Sequence, residues 1–127
     1  MTATRMEMTA HQMRFGINDE DEPFAFLWAF DSNLDFVFSL SRPIDDNDAA
    51  EIEFMVLDQI WEPVDDFHCR IDDTLICALV PPGLRRHTNG SKEIVVNHNC
   101  VDHELNDLID VLRRIFKGKT GLEVLVK

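Results

Sequence analysis

The sequence predicts an α+β fold in which a mostly antiparallel sheet of five to seven strands carries one C-terminal amphipathic helix on one face. Short runs with the two-residue periodicity of strands alternate with turn residues over residues 24–97, and no connection of helical length separates them. Residues 101–116 instead have the 3.6-residue periodicity of an amphipathic helix. The helix must bury its apolar stripe, and the sheet is the surface that can cover it.

The predicted strands follow one another as hairpins. Residues 24–30 are apolar on both alternating faces, which predicts an interior strand with large rings at every second position. After the turn at residues 31–33, residues 35–41 place Phe36 and Phe38 on one face and form its hairpin partner. Further strands are predicted at residues 51–57, 67–71, 74–80, 93–97 and 122–126.

The one predicted helix begins near Val101 and ends near Phe116. Acidic residues occupy its first turn and basic residues its last turn, which is the distribution that the helix dipole favours. Gly118 follows at the position of a left-handed cap. For residues 51–57, which alternate as a strand, a helix that continues toward Trp61 is the alternative. The apolar stripe of the C-terminal helix consists of Val101, Leu105, Leu108, Ile109, Leu112, Ile115 and Phe116.

The chain of 127 residues has the length of one domain, predicted at 1–127, in which residues 1–14 form a loosely ordered N-terminal segment. Its three cysteines form no regular disulfide framework, which favours a reducing compartment. The longest apolar run, residues 24–30, is far shorter than a membrane span, and no signal-peptide core precedes it. We therefore expect a cytoplasmic protein.

Acidic residues outnumber basic residues by 24 to 12, so the formal net charge is −12. Phosphate backbones and anionic lipid surfaces repel such a chain, which argues against nucleic acid and membranes as partners. The charge is concentrated, because residues 15–73 contain 17 acidic and 2 basic residues. This segment is either a solubilising surface or a docking face for a protein partner with a basic surface.

The candidate partner-binding residues lie in this acidic segment. Trp61 stands among acidic residues, and a large aromatic side chain inside a charged rim is typical of an interface anchor. Burial of Trp61 in the core is the alternative. The predicted partner-binding set is Asp45, Asp46, Asp48, Trp61, Glu62, Asp65 and Asp66.

Patterns for catalysis, metals and cofactors are weak. The grouping His98-x-Cys100-x-x-His103 supplies zinc-type ligands without a CxxC or HExxH spacing. The acidic run at residues 45–48 departs from the calcium-loop pattern, because alanine replaces an oxygen ligand and no glycine follows. A phosphate-binding glycine motif is absent as well. We therefore predict no catalytic residue, no metal site and no cofactor.

The order of the segments resembles a known class of proteins. An acidic N-terminal hairpin (FAFLWAFDSNLDFVFSL) precedes an Asp-rich loop (IDDND) and a strand that runs into Gln and Trp (EFMVLDQIW). A second hairpin (FHCRIDDTLICALV) and a helix ending in LRRIF follow. Over residues 20–117 this order resembles the small acidic immunity proteins of bacterial polymorphic-toxin and contact-dependent inhibition systems.

The resemblance implies a function. Immunity proteins of this kind are cytosolic, have no enzymatic activity and neutralise a cognate toxin by covering its active site or substrate path. For this chain the resemblance implies a non-enzymatic binding protein with a cognate toxin as its partner. Two alternatives stay open, which are an adaptor or chaperone-like module for a basic effector and a small enzyme.

Overall fold

The structure is a computed structural model that describes residues 5–18, 23–44, 50–57 and 59–126. The predicted α+β class is confirmed, and the strands of these residues form two five-stranded sheets. The strands are β1 (Arg5–Thr9), β2 (Gln12–Asn18), β3 (Phe24–Asp31), β4 (Phe36–Pro43), β5 (Ile52–Val56), β6 (Ile60–Val64), β7 (Cys69–Ile71), β8 (Leu75–Leu79), β9 (Glu93–Asn97) and β10 (Leu122–Val124). The helices are a 3-10 helix (Pro82–Thr88) and α1 (Asp102–Ile115).

Three strands, β1, β2 and β6, are additional to those that the sequence predicts. The prediction of a loosely ordered segment at residues 1–14 differs from the structure, because residues 5–9 pair with β9 and residues 12–18 pair with β3. Met8 is buried and Met6 packs against the core from the same face of β1. Residues 5–9 are ordered by pairing with a strand that is distant in the chain, and no local pattern reveals such a contact.

The antiparallel sheet has the order β2-β3-β4-β5-β6, a meander in which each strand pairs with the next one along the chain. Side chains alternate between its two faces. On the inner face, which faces the core, β3 places the smaller side chains of Ala25, Leu27 and Ala29, and these are fully buried. The outer face takes the large, half-buried rings of Phe24, Phe26, Trp28 and Phe30.

The mixed sheet has the order β1-β9-β8-β7-β10. Its centre is antiparallel and includes the predicted β7-β8 hairpin, which is confirmed. Each of its two edge strands pairs in parallel with its neighbour, β1 with β9 and β10 with β7. The core-facing side chains of its central strands are Cys69, Ile71, Ile76, Ala78, Ile94 and Val96.

Helix α1 packs on the inner face of the antiparallel sheet, against β2, β3 and β4. Leu108, Leu112 and Ile115 are fully buried, as the predicted stripe requires. Val101, which the sequence places in the stripe, is instead the N-cap in extended conformation and is 65% exposed. Gly118 has a φ of 77°, which is the left-handed conformation predicted for this position.

Four phenylalanine rings connect the layers through the core. The ring centroids of Phe38 and Phe54 in the antiparallel sheet are 5.3 Å apart, and Phe67 lies 5.2 Å from Phe54. Phe116, the C-cap of α1, lies 5.0 Å from Phe67, which leads into the mixed sheet. The core therefore lies between the two sheets and the helix, on one side of the antiparallel sheet.

Candidate functional site

The candidate site is the face of the antiparallel sheet that points away from α1, which we call the outer face. The strand register aligns its side chains in rows that cross all five strands. One row consists of Arg14, Trp28, Ser39, Met55 and Trp61, so both tryptophans of the chain lie in it. The neighbouring row consists of Gly16, Phe26, Ser41, Glu53 and Pro63. The remaining members of the outer face are Gln12, Asn18, Phe24, Phe30, Val37 and Pro43.

The rings of β3 form an aromatic ridge along the outer face. Trp28 stacks on Phe30 with a centroid distance of 6.1 Å and an interplanar angle of 18°. Phe24 and Phe26 lie 5.8 Å apart. The guanidinium of Arg14 lies 5.7 Å from the centre of the Trp28 ring, which is a cation–π contact. The ridge therefore presents ring faces to solvent and already binds one cation of the chain itself.

A groove runs beside this ridge. Its floor is formed by Ser39 and Ser41 of β4, whose small side chains leave space between larger neighbours. The ridge is one wall, and Glu53 and Met55 of β5 form the other wall. The groove is thus apolar along most of its length, with hydroxyl groups below it and one carboxylate on its side.

The groove ends at the end of the sheet where two connections of acidic sequence begin. Asn18, Phe24 and Pro43 lie side by side in register there. The connection between residues 18 and 24 contains four acidic residues, and the connection between residues 44 and 50 contains three. Both connections begin and end at this end of the antiparallel sheet, and their sequence is strongly acidic.

Trp61 lies on the outer face, in edge strand β6. Its side chain is 54% exposed, and its strand partner Met55 separates it from the groove. The alternative that Trp61 belongs to the core is therefore wrong. Its role as an interface anchor stays a prediction.

The structure separates Trp61 from the acidic residues next to it in the sequence. Glu62 points to the opposite side of β6, where its carboxylate lies close to Gly83 of the 3-10 helix. Asp65 forms an ion pair of 3.2 Å with Nζ of Lys119. The predicted residues Asp45, Asp46 and Asp48 lie outside the described residues.

Asp66 has a structural role. Its carboxylate accepts hydrogen bonds from the backbone N–H groups of Phe67, Thr120 and Gly121 and from the Thr120 hydroxyl, at distances of 2.9 to 3.1 Å. Burial raises the pKa of this carboxyl, but the hydrogen bonds outweigh burial and hold the pKa below its usual value. Asp66 thus fixes the segment that leads into β10.

The described residues offer little chemistry for catalysis or metal binding. Among them, no group of three or more His, Cys, Asp and Glu side chains is placed to hold a metal ion. His98 is buried with both ring nitrogens engaged, since Nδ1 accepts the Cys100 N–H at 3.0 Å and Nε2 donates to the Asp72 carbonyl at 3.0 Å. Burial raises the pKa of the Cys69 thiol to about 12, which disfavours the nucleophilic thiolate. The expectation of no metal and no enzymatic activity stays a prediction.

The aromatic ridge and the groove are absent from the sequence-based set of binding residues. In the sequence, Ser39 and Ser41 have the pattern of ordinary residues on a strand surface, and no neighbouring residue indicates a groove. The signal that could have identified the face is the alternation of small residues and rings over residues 24–30. A helix packs more closely on small side chains than on rings, so the rings belong to the other face.

No protein-family model, curated protein or solved structure matches the chain significantly. Within the described residues, no helix has the length and apolar character needed to cross a membrane. The function is therefore inferred from the geometry and charge of the outer face.

Proposed function

We propose that the protein is a non-enzymatic binding protein that docks a basic protein partner on its outer face. We further propose that the partner is a cognate bacterial toxin whose active site the protein covers. The observation that carries the docking proposal is the row that places Trp28 and Trp61 together on the outer face, opposite the face that packs against α1. The toxin as partner rests on the resemblance over residues 20–117.

An aromatic face of this kind suits a protein interface. Tryptophan and phenylalanine bury a large apolar area, and tryptophan is enriched among the residues that dominate binding energy. Trp61 is 54% exposed and the ridge on β3 is half-buried, so docking would remove much of the remaining ring surface from water. Arg14 on edge strand β2 adds a charged group at the margin, where interfaces are polar, and Glu53 adds one beside the groove.

The charge selects a basic partner over a second copy of this chain. Each copy carries a net charge of −12, and strands β3 to β6 of the antiparallel sheet lie within the segment of 17 acidic and 2 basic residues. Two such copies repel each other, whereas a basic surface is attracted and its association is accelerated. A toxin that acts on nucleic acid or another anion has a basic substrate groove, which is a surface of this kind.

Inhibition then follows from occupation of that groove. Acidic side chains take the position of the anionic substrate, and the aromatic face supplies the apolar contact that slows dissociation. Charge alone gives little affinity once salt screens it beyond about 8 Å at physiological ionic strength. Both the acidic segment and the aromatic face are therefore needed.

The test is co-expression of the protein with any toxin domain that a gene neighbouring its own encodes. We expect bacterial growth with the unmodified protein, loss of protection with Trp61→Ala, and full protection with Leu79→Ala. Leu79 is a matched control, because it is 41% exposed but lies on the mixed sheet. A stable complex in which the toxin remains active would support the adaptor function instead, and absence of any complex would overturn the proposal.

A further inference from the structure

Glu53 and Phe26 stand in one row of the outer face with Ser41 between them. The Ser41 hydroxyl donates a hydrogen bond of 3.3 Å to Oε2 of Glu53, which holds the carboxylate beside the groove floor. The ring of Phe26 leans the other way, since its edge lies 3.9 Å from the position that a Cβ on Gly16 would take. The space above Ser41 is therefore bounded by a carboxylate on one side and by the rings of Phe24 and Phe26 on the other.

We propose that this space binds the guanidinium of an arginine side chain presented by the protein partner. This inference deepens the proposed function and rests on it. The Glu53 carboxylate pairs with the guanidinium, and the rings of Phe24 and Phe26 pack against its flat face and its apolar stem. Desolvation by the docked partner strengthens both contacts, because charges interact more strongly when water is excluded.

The outer face itself indicates that the ligand is a cation and where it binds. Arg14 already lies 5.7 Å from the centre of the Trp28 ring, so a guanidinium fits on this ridge. Arg14 also adds positive charge in the Trp28 row, which directs an incoming cation toward Glu53 in the neighbouring row.

Arginine fits this space better than lysine does. The guanidinium is planar and weakly hydrated, so it stacks on rings and still donates hydrogen bonds in its plane. A lysine ammonium is compact and strongly hydrated, so it loses more hydration when it enters an apolar groove. Among the described acidic residues, Glu53 is the one that lines the groove, so a single cation completes the site.

The probe is an acetylated and amidated Gly-Arg-Gly peptide, titrated into the full chain and followed by amide chemical shifts. The same peptide with citrulline, which keeps the shape of arginine and lacks its charge, is the control ligand. We expect the arginine peptide to shift the amide signals of Phe26, Ser41 and Glu53 in a saturable way. Tryptophan fluorescence is a second readout, because Trp28 and Trp61 both lie on the outer face.

The test variant is Glu53→Gln, and the matched control is Glu123→Gln, which removes the same charge from an exposed position on the mixed sheet. We expect Glu53→Gln to weaken binding of the arginine peptide about threefold to fivefold, the effect of one exposed ion pair, and Glu123→Gln to leave it unchanged. Equal binding of the citrulline peptide, absence of shifts at Ser41 and Glu53, or equal effects of the two variants would overturn the arginine site.

Failure of this inference is distinguishable from failure of the proposed function. Docking of the toxin domain is measured separately, with Trp61→Ala as the variant. One outcome is that the toxin binds, that Trp61→Ala weakens toxin binding, and that Glu53→Gln changes binding of neither the peptide nor the toxin. In that case the arginine site is wrong and the docking face stands. If the arginine peptide binds and no basic toxin does, the toxin proposal is wrong and the cation site stands.

Discussion

The guanidinium of Arg42 in β4 donates a hydrogen bond of 3.0 Å to the backbone carbonyl of Ile115, the last residue of α1. It also donates to the carbonyl of Lys117. The last carbonyls of a helix have no partner within the helix, and a buried cation satisfies them and the negative end of the helix dipole. Because Ser41 and Pro43 flank Arg42 in the strand and face outward, one strand forms the groove and also holds the helix on the other side of the sheet.

Arg42→Met should therefore destabilise the protein by about 2 to 3 kcal/mol, because it leaves buried carbonyls without their charged donor. Urea unfolding measures this change. Arg113→Met is the control, since Arg113 is exposed on α1 and its contact with Asp110 is 4.0 Å long. The control should change the free energy of unfolding by less than about 0.5 kcal/mol. Equal costs for the two variants would contradict the capping role of Arg42.

Gly121 and Gly16 should respond in opposite ways to alanine. A Cβ at Gly121 would overlap the carbonyl oxygen of Phe67, so Gly121→Ala must displace backbone and should cost about 1 to 3 kcal/mol. A Cβ at Gly16 would make ordinary contact with the Phe26 ring at 3.9 Å, so Gly16→Ala should be neutral or stabilise by about 0.5 kcal/mol. Thermal unfolding of the two variants distinguishes them, and a stable Gly121→Ala protein would show that the loop before β10 is placed differently.

We expect the free energy of unfolding to fall at acidic pH because of Asp31, whose side chain joins the two sheets. This buried carboxylate accepts hydrogen bonds from the backbone N–H groups of Thr9, Asn33 and Leu34 at 2.8 to 3.1 Å. Burial raises the pKa of Asp31, but these bonds and nearby His11 outweigh it and hold the pKa below the ordinary value of 3.8. A lowered folded pKa means that the stabilisation is present above pH 3.8 and is lost as the pH falls through the folded pKa.

Asp31→Asn is the variant that tests this linkage. It should lower the free energy of unfolding at neutral pH by about 1 to 3 kcal/mol, because a neutral amide oxygen is a weaker acceptor than a carboxylate. The difference from the unmodified protein should shrink as the pH falls from about 5 to about 2. Urea unfolding at several pH values measures it, and a difference that is constant with pH would refute the linkage.

Trp61→Ala should weaken binding of the toxin without unfolding the protein. Because the side chain is 54% exposed, we expect the free energy of unfolding to change by less than about 1 kcal/mol. Dissociation from the toxin domain should be at least about thirtyfold faster, which corresponds to a hot spot of about 2 kcal/mol. Surface plasmon resonance measures the rate, and an unchanged dissociation rate would remove Trp61 from the interface.

Substitution of Asp45, Asp46 and Asp48 by Asn should instead change the rate of association with the partner. We expect slower association and a weaker dependence of its rate on salt, with nearly unchanged dissociation, because loop charges steer the encounter. The matched control neutralises three exposed acidic residues of α1, Glu104, Asp107 and Asp110. If both triple variants slow association equally, net charge rather than Asp45, Asp46 and Asp48 in particular steers the partner.

Local patterns in the sequence were sufficient for several elements. The β3-β4 and β7-β8 hairpins and α1 follow from periodicity and turn residues, since their defining contacts join residues that are near in the chain. The acidic character of residues 15–73 likewise depends on neighbouring residues alone. The α+β class and the negative charge of residues 15–73 were therefore predictable.

The tertiary structure decided which faces are covered and which residues meet. Periodicity shows that the two faces of β3 differ, but only packing of α1 on Ala25, Leu27 and Ala29 turns the rings outward. Parallel pairing of β1 with β9 joins residues 5–9 to residues 93–97, and no local pattern encodes such a distant contact. Strand register then gathers side chains from five strands into the aromatic rows of the outer face, whereas Glu62 turns to the opposite side of Trp61 because adjacent strand residues point in opposite directions.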